Sequence, residues 1–132
     1  MTEICQKLSV QNSILLSASR VSMPATIKAC IDEGADPNIP RLADGYTPLM
    51  LAVWEGLFDN VKILVKAGAA INVVNNDDGT ALLIAAQRGF GEIVEYFISC
   101  GANKTLADKD GDTALTVAKK MGYMTIVELL SR

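Results

Sequence analysis

The sequence contains no histidine. Because the base in Ser-His and Cys-His nucleophile pairs is a histidine, those catalytic arrangements are excluded. Cysteine is also scarce, since Cys5, Cys30 and Cys100 form no close pair and lack the spacing of a zinc site. The sequence therefore predicts no catalytic residue, no metal ligand and no bound cofactor.

Long apolar runs and excess positive charge are absent as well. No run approaches the ~18 apolar residues of a membrane-spanning helix, and the N-terminal Met1-Thr2-Glu3 lacks the basic character of a secretion signal. The net charge of −3 argues against nonspecific nucleic-acid binding. Unpaired cysteines are typical of a reducing compartment. We predict a protein of the cytoplasm or nucleus with no membrane or nucleic-acid partner.

The sequence does contain an internal repeat. Thr47, Thr80 and Thr113 are 33 residues apart, and a leucine follows each of them two residues later. The same interval relates three further sets of identical residues: Ala52, Ala85 and Ala118; Gly56, Gly89 and Gly122; and Val61, Val94 and Val127. A fixed period in this range predicts stacked helix-containing repeats. Such arrays offer a long surface and seldom enclose a catalytic pocket.

The repeat that contains Thr47 is the best formed. The Asp44-Gly45 pair indicates a tight turn. Thr47 suits a helix N-cap, and Pro48 suits the first helical position, where its missing N–H is harmless. Gly56 favours the left-handed conformation that ends a helix, so the first helix should be about nine residues long. A second helix follows and ends at Gly68.

This pattern resembles the ankyrin repeat. The matching segments are 45–52, 56 and 68–72 in the second repeat, 78–86, 89 and 101–103 in the third, and 110–118 and 122 in the fourth. The first repeat matches mainly through 27–38, with Ser13 where threonine is expected, and the whole resemblance covers roughly residues 11–132. The histidine that the family usually places after the leucine of its Thr-Pro-Leu motif is replaced by Met50, Leu83 and Thr116.

The resemblance implies one all-α domain over residues 1–132, an ankyrin-repeat solenoid of about four helix-turn-helix units joined by short β-hairpin-like loops. The approximate repeats are 1–40, 41–74, 75–107 and 108–132, with one residue inserted around 41–43. Residues 1–10 should form a capping helix that continues into the first repeat. Its apolar stripe would contain Ile4, Leu8 and Leu15.

The resemblance also implies a noncatalytic protein–protein interaction module, an adaptor or scaffold. In this family, partners usually meet the hairpin tips and the exposed end of each first helix. The matching positions are Asp44, Tyr46, Asp77 and Asp112 at the tips, and Arg20, Trp54, Glu55, Gln87, Arg88 and Lys120 on the helices. Because aromatic and arginine side chains dominate interface hot spots, we predict Tyr46 and Trp54 as the anchor, flanked by Arg20 and Arg88. Alternatively, Trp54 only packs against the neighbouring hairpin.

Two further interpretations concern charge and self-association. Acidic tips and basic first helices would suit a partner with the opposite pattern, unless these charges are simply solvated. Met121, Met124 and Leu129 of the last repeat would leave apolar surface for a second copy, and this makes a self-associating structural module the alternative function. Lys119 and Lys120 look like a partial polar cap on the last repeat, so a monomer is favoured over a weak dimer. An enzyme ranks third.

Overall fold

The structure is a computed structural model that describes the backbone of residues 2–132 and the side chains of residues 6, 7 and 9–132. Over this range the chain forms eight α-helices and no β-strand. The helices are α1 (Thr2–Ser19), α2 (Pro24–Asp32), α3 (Pro48–Trp54), α4 (Phe58–Lys66), α5 (Ala81–Arg88), α6 (Gly91–Ser99), α7 (Ala114–Met121) and α8 (Met124–Leu130). They lie in two compact units, an N-terminal unit (Met1–Ala70) and a C-terminal unit (Ile71–Arg132). The predicted all-α repeat fold is confirmed.

Threonine N-caps begin the helices α3, α5 and α7. The hydroxyl oxygens of Thr47, Thr80 and Thr113 accept the backbone N–H three residues later, at 3.3, 3.2 and 3.3 Å. Pro48 occupies the first position of α3, and the Thr116 side chain completes a capping box with Thr113. Each bond satisfies one of the N–H groups that have no partner in the first turn of a helix.

Glycines end the same three helices. Gly56, Gly89 and Gly122 have φ angles of 71°, 80° and 77°, in the left-handed region predicted for them. The helices contain seven, eight and eight residues, slightly fewer than predicted. An added Cβ at Gly89 would also lie 2.9 Å from the ring Cζ of Tyr123, so that the tyrosine ring would have to shift.

The N-terminal unit contains two helix pairs. Helix α1 packs against α2 and α3, and α4 packs against α2 and α3. One helix, α1, runs unbroken from Thr2 to Ser19, and the role of its first part as a cap stays a prediction. Leu15 of its predicted stripe is fully buried, together with Ile27 and Val61. The side chains of Ile4, Cys5 and Leu8 lie outside the described residues.

The C-terminal unit repeats this arrangement. Helix α5 packs against α6 and α7, and α8 packs against α6 and α7. Its core contains Leu82, Val94 and Phe97, each at most 1% exposed. Cys30 is buried in the N-terminal unit, and Cys100 is exposed in the C-terminal unit.

Asparagine side chains join the loops of successive repeats within each unit. In the N-terminal unit, Asn38 Oδ1 accepts the backbone N–H of Ala70 at 2.7 Å. In the C-terminal unit, Asn72 Oδ1 accepts the N–H of Asn103 at 2.8 Å. These bonds connect consecutive repeats in a chain that has no histidine for that purpose.

Candidate partner-binding surface

Tyr46 and Trp54 form an aromatic pair in the N-terminal unit. Tyr46 immediately precedes the N-cap of α3, and Trp54 is the last residue of that helix. Their ring centroids are 6.3 Å apart with an interplanar angle of 79°, the edge-to-face geometry that aromatic rings prefer. Trp54 remains 37% exposed. Trp54 therefore packs against Tyr46 at the end of its own hairpin and keeps part of its surface exposed, and its role in binding a partner stays a prediction.

Arg41 holds this hairpin together. Its Nε donates to Asp44 Oδ1 at 3.0 Å, and a second guanidinium nitrogen pairs with the other carboxylate oxygen. Its Cζ lies 5.6 Å from the centroid of the Tyr46 ring, within cation–π range. The hydrogen bond from Arg41 lowers the pKa of Asp44 below its ordinary value. Sequence reasoning missed Arg41, although an arginine three residues before an aspartate in a turn is a usable signal.

The predicted one-residue insertion lies in the same hairpin. The hairpin is closed by Arg41 N donating to Tyr46 O at 2.8 Å, whereas the hairpins of the C-terminal unit run from 75 to 79 and from 108 to 112. It therefore has one more residue than they do. Leu42 lies in this longer turn and is 99% exposed. It is a candidate contact residue that the repeat pattern could not reveal, because the insertion breaks the pattern there.

The other predicted residues of the N-terminal unit surround the end of the first helices. Arg20 is exposed directly after α1, and Glu55 is exposed at the C-cap of α3. Asp44 is half-buried against Arg41, so its charge is neutralised within the hairpin. Buried Asn60 stabilises the loop that carries Arg20, because its Nδ2 donates to the carbonyl of Val21 at 2.7 Å.

The C-terminal unit carries a separate group of predicted residues. Gln87 and Arg88 are exposed at the end of α5, and Asp77 is exposed on hairpin 75–79. Lys120 Nζ donates to Asp112 Oδ1 at 2.7 Å, which lowers the pKa of Asp112 and raises that of Lys120. The charge pattern is therefore weaker than predicted, because Asp44 and Asp112 each have a cationic partner within their own unit.

The surface proposed for self-association is smaller than predicted. Met121 and Met124 of the C-terminal unit are 51% and 69% exposed. Leu129 is buried, so its predicted exposure is wrong. The cause is its place in the last turn of α8, the helix that packs against α6 and α7.

Polar residues occupy part of the outer surface of α7. Leu83 and Ala86 are buried in α5, and the residues 33 positions later are Thr116 and Lys119, which are exposed. An apolar neighbour would have to desolvate these groups. Terminal repeats commonly have such a polar outer face.

In the described part of the chain, no three His, Cys, Asp or Glu residues lie close enough together to hold a metal ion. None of the helices in that part is both long and apolar enough to span a bilayer.

Capped helix pairs, asparagine-linked loops and closed hairpins define the chain as a helical repeat protein. The family model described as "Ankyrin repeats (3 copies)" matches residues 67–132, and the one described as "Ankyrin repeats (many copies)" matches residues 31–85. The chain belongs to the ankyrin repeat family. Ankyrin repeats generally mediate protein–protein interaction, and ankyrin domains are typically noncatalytic.

The chain is also similar to part of a longer protein. It is 37% identical over 70 residues to glycerophosphocholine phosphodiesterase gde1 of Schizosaccharomyces pombe (strain 972 / ATCC 24843). The match covers 53% of this chain and 6% of that protein. The chain thus spans a small fraction of this relative, so the relative's activity does not carry over to it.

Proposed function

We propose that the chain is a noncatalytic adaptor or scaffold that binds another protein through its hairpin tips and the exposed ends of its first helices. The observation that supports this most strongly is the Tyr46–Trp54 pair, an ordered aromatic pair whose tryptophan is partly exposed. Aromatic side chains at the centre of an interface contribute most of its binding energy.

The aromatic pair is preorganised for binding. Tyr46 contacts Arg41 on one side and Trp54 on another. Side chains that are already ordered lose little rotamer entropy when a partner binds. Replacing such a hot-spot residue by alanine typically costs about 2 kcal/mol or more, a loss of about thirtyfold in affinity.

The remaining predicted residues would form polar contacts with a partner, separately in each unit. In the N-terminal unit these are Arg20, Asp44 and Glu55, and in the C-terminal unit they are Asp77, Gln87, Arg88, Asp112 and Lys120. Charges at the rim of an interface mainly change the association rate and its salt dependence. We expect each to contribute less than Tyr46 or Trp54.

The test compares Tyr46→Ala and Trp54→Ala with Met124→Ala, which truncates an exposed apolar side chain of the C-terminal unit. Each variant captures proteins from a cell extract, quantified by mass spectrometry, and circular dichroism checks its helicity. We expect the two aromatic variants to stay helical and lose partners that Met124→Ala retains. If they remain helical and capture the same partners as the wild type, the proposed surface is wrong.

Self-association is the second candidate function, and the exposure of Met121 and Met124 favours it. Sedimentation at several protein concentrations separates the two functions. A stable dimer that is lost in a Met121→Ser/Met124→Ser variant would support the structural module. A monomer at every concentration would remove it.

We place the protein in the cytoplasm or nucleus. Cys30 and Cys100 form no disulfide, and burial raises the pKa of the Cys30 thiol, which favours its protonated form. Imaging of a fluorescent fusion tests this placement, and accumulation in the secretory pathway would contradict it.

A further inference from the structure

A groove of about 630 Å³ runs along one side of α1 in the N-terminal unit. The wall formed by α1 contains Ser9, Asn12, Ser13 and Leu16, and Leu16 is half-buried. The first three are polar and uncharged, and they repeat at the three- and four-residue spacing that places side chains on one helix face. This wall can form hydrogen bonds but carries no charge.

The opposite wall is formed by the chain that leads into the longer hairpin. It contains Pro40, Arg41, Leu42 and Ala43. Leu42 is almost fully exposed, and Pro40 and Ala43 are exposed as well. Most of this wall is therefore apolar surface that a partner could remove from water.

The charge of the residues that line the groove indicates what kind of occupant it can bind. Among the described residues that line the groove, Arg41 is the one charged side chain, and its guanidinium is already paired with the Asp44 carboxylate. A charged group brought into the groove would lose its hydration without gaining a counter-ion, which is costly. An uncharged occupant avoids this cost, and the volume lies in the usual range for ligand sites.

We propose that the groove binds an uncharged segment of the partner protein as an extended peptide. One large apolar side chain of that peptide lies against Leu16 and Leu42. Its backbone carbonyls accept from the amide nitrogen of Asn12, because Asn12 Oδ1 already accepts the N–H of Asp36 at 2.8 Å. Its backbone amides donate to the hydroxyl oxygens of Ser9 and Ser13, because the Ser13 hydroxyl already donates to the carbonyl of Ser9 at 3.0 Å. This inference rests on the proposed function, and Arg41 connects the two regions because it lines the groove and also lies over the Tyr46 ring.

The test is a selection of random peptides displayed on phage against the immobilised wild-type chain. Binding of the enriched peptides is then measured in solution by the fluorescence anisotropy of a dye attached to the peptide, a readout that also works for the Trp54→Ala variant. We expect enrichment of uncharged sequences with a large aliphatic or aromatic residue. Enrichment of acidic or basic sequences, or no enrichment over the bare support, would overturn the inference.

Substitutions in the groove locate the binding site. We expect Leu42→Ser to weaken peptide binding at least about tenfold, as loss of a buried leucine contact requires. Ala43→Asp should weaken it about as much, whereas Ala43→Asn, of the same size without the charge, should change it less than about threefold. Ala25→Asp is the matched control, because Ala25 is exposed on the first turn of α2 and does not line the groove.

The aromatic variants separate the two proposals. Peptides whose binding depends on Trp54 and Tyr46 but not on Leu42 or Ala43 would overturn the groove and leave the proposed function standing. Peptides that bind independently of all four residues would overturn both. Equal losses for Ala43→Asp and Ala43→Asn would show that charge is not excluded, which contradicts an uncharged occupant. A concentration-dependent dimer that Leu42→Ser abolishes would assign the groove to a second copy of the chain, which also contradicts the inference.

Discussion

At two pairs of equivalent positions, one unit has a polar residue where the other has an apolar one; we call each such difference an exchange. Leu42 in the N-terminal unit precedes Asn75 of the C-terminal unit by one repeat of 33 residues, and Asn60 precedes Ile93 by the same interval. Leu42 is exposed where Asn75 is buried, and the buried amide of Asn60 stands where the C-terminal unit has a buried isoleucine. The N-terminal unit thus has an apolar side chain outside and a polar one inside, relative to its regular counterpart.

Each exchange is explained by a different stabilising contact. Asn75 Oδ1 accepts the N–H groups of Asp77 and Gly79, both at 2.9 Å, and so stabilises its own turn. Leu42 cannot do this, and the Arg41–Asp44 ion pair stabilises the longer turn instead. Departures from a repeat's local rules are expected at functional positions. Here they lie beside the segments that carry Arg20 and Tyr46.

The largest expected effect on stability comes from giving each of the two buried positions, 60 and 93, the residue that the other has. Ile93→Asn should lower the free energy of unfolding by about 4 kcal/mol, because it removes apolar burial and places an amide in an apolar core. Asn60→Ile should cost about 2 kcal/mol, because the carbonyl of Val21 loses its donor. Urea denaturation followed by circular dichroism measures both. An equal cost, or a stabilising Asn60→Ile, would show that Asn60 is not required for the loop.

The hairpin exchange should produce a smaller effect. Asn75→Ala removes two hydrogen bonds inside the turn and should cost about 2 kcal/mol of stability. Leu42→Ala should change stability by less than about 0.5 kcal/mol, because an exposed side chain contributes little to folding. The same denaturation experiment compares them. A large loss in Leu42→Ala would mean that this leucine has a structural role, and the groove proposal would lose its main apolar contact.

A still smaller effect on stability is expected at the hairpin position that has a positive φ angle. Gly45, Asp78 and Gly111 are 33 residues apart, and all have positive φ angles, with Asp78 at 60°. Asp78→Gly should stabilise the chain by about 0.5 kcal/mol, because it relieves the strain of an L-residue in the left-handed region. Asp110→Gly, one residue before Gly111, is the control and should destabilise it slightly. Thermal unfolding measures the difference, and the opposite ranking would contradict it.

The repeat period predicted the regular features of this structure well, namely where its helices begin and end. Thr80 and Gly89 have the roles that the repeat predicts, because helix caps and left-handed glycines depend on local sequence. Period and local propensity act through the chain itself, so one sequence is sufficient to infer them.

The candidate site was predictable only in part. The exposure of Trp54 followed from the repeat, but its contact with Tyr46 depends on where the hairpin folds back in space. Arg41 and Leu42 were missed because the inserted residue removes the period at that place. Asn60 was missed because its function is to pair with carbonyls about 40 residues away, and periodicity contains no information about such a contact.

The smallest expected effect is the pH dependence of the hairpin that carries Arg41 and Asp44. The ion pair lowers the pKa of Asp44 in the folded chain below the ordinary value of 3.8 that it has when unfolded. The pair therefore contributes its full stability above that ordinary value, and the contribution disappears as the pH falls through the lowered pKa. Both side chains are about a third exposed, so solvent screening keeps the effect small. Asp44→Asn should thus lose stability relative to the wild type near neutral pH, and the difference should shrink in acid. Lys62→Met is the control, because it breaks the more exposed pair with Asp59 in the same unit and should show little change with pH. A difference between wild type and Asp44→Asn that stays constant from neutral to acid pH would show that the carboxylate acts through its turn hydrogen bond to Tyr46 N rather than through its charge.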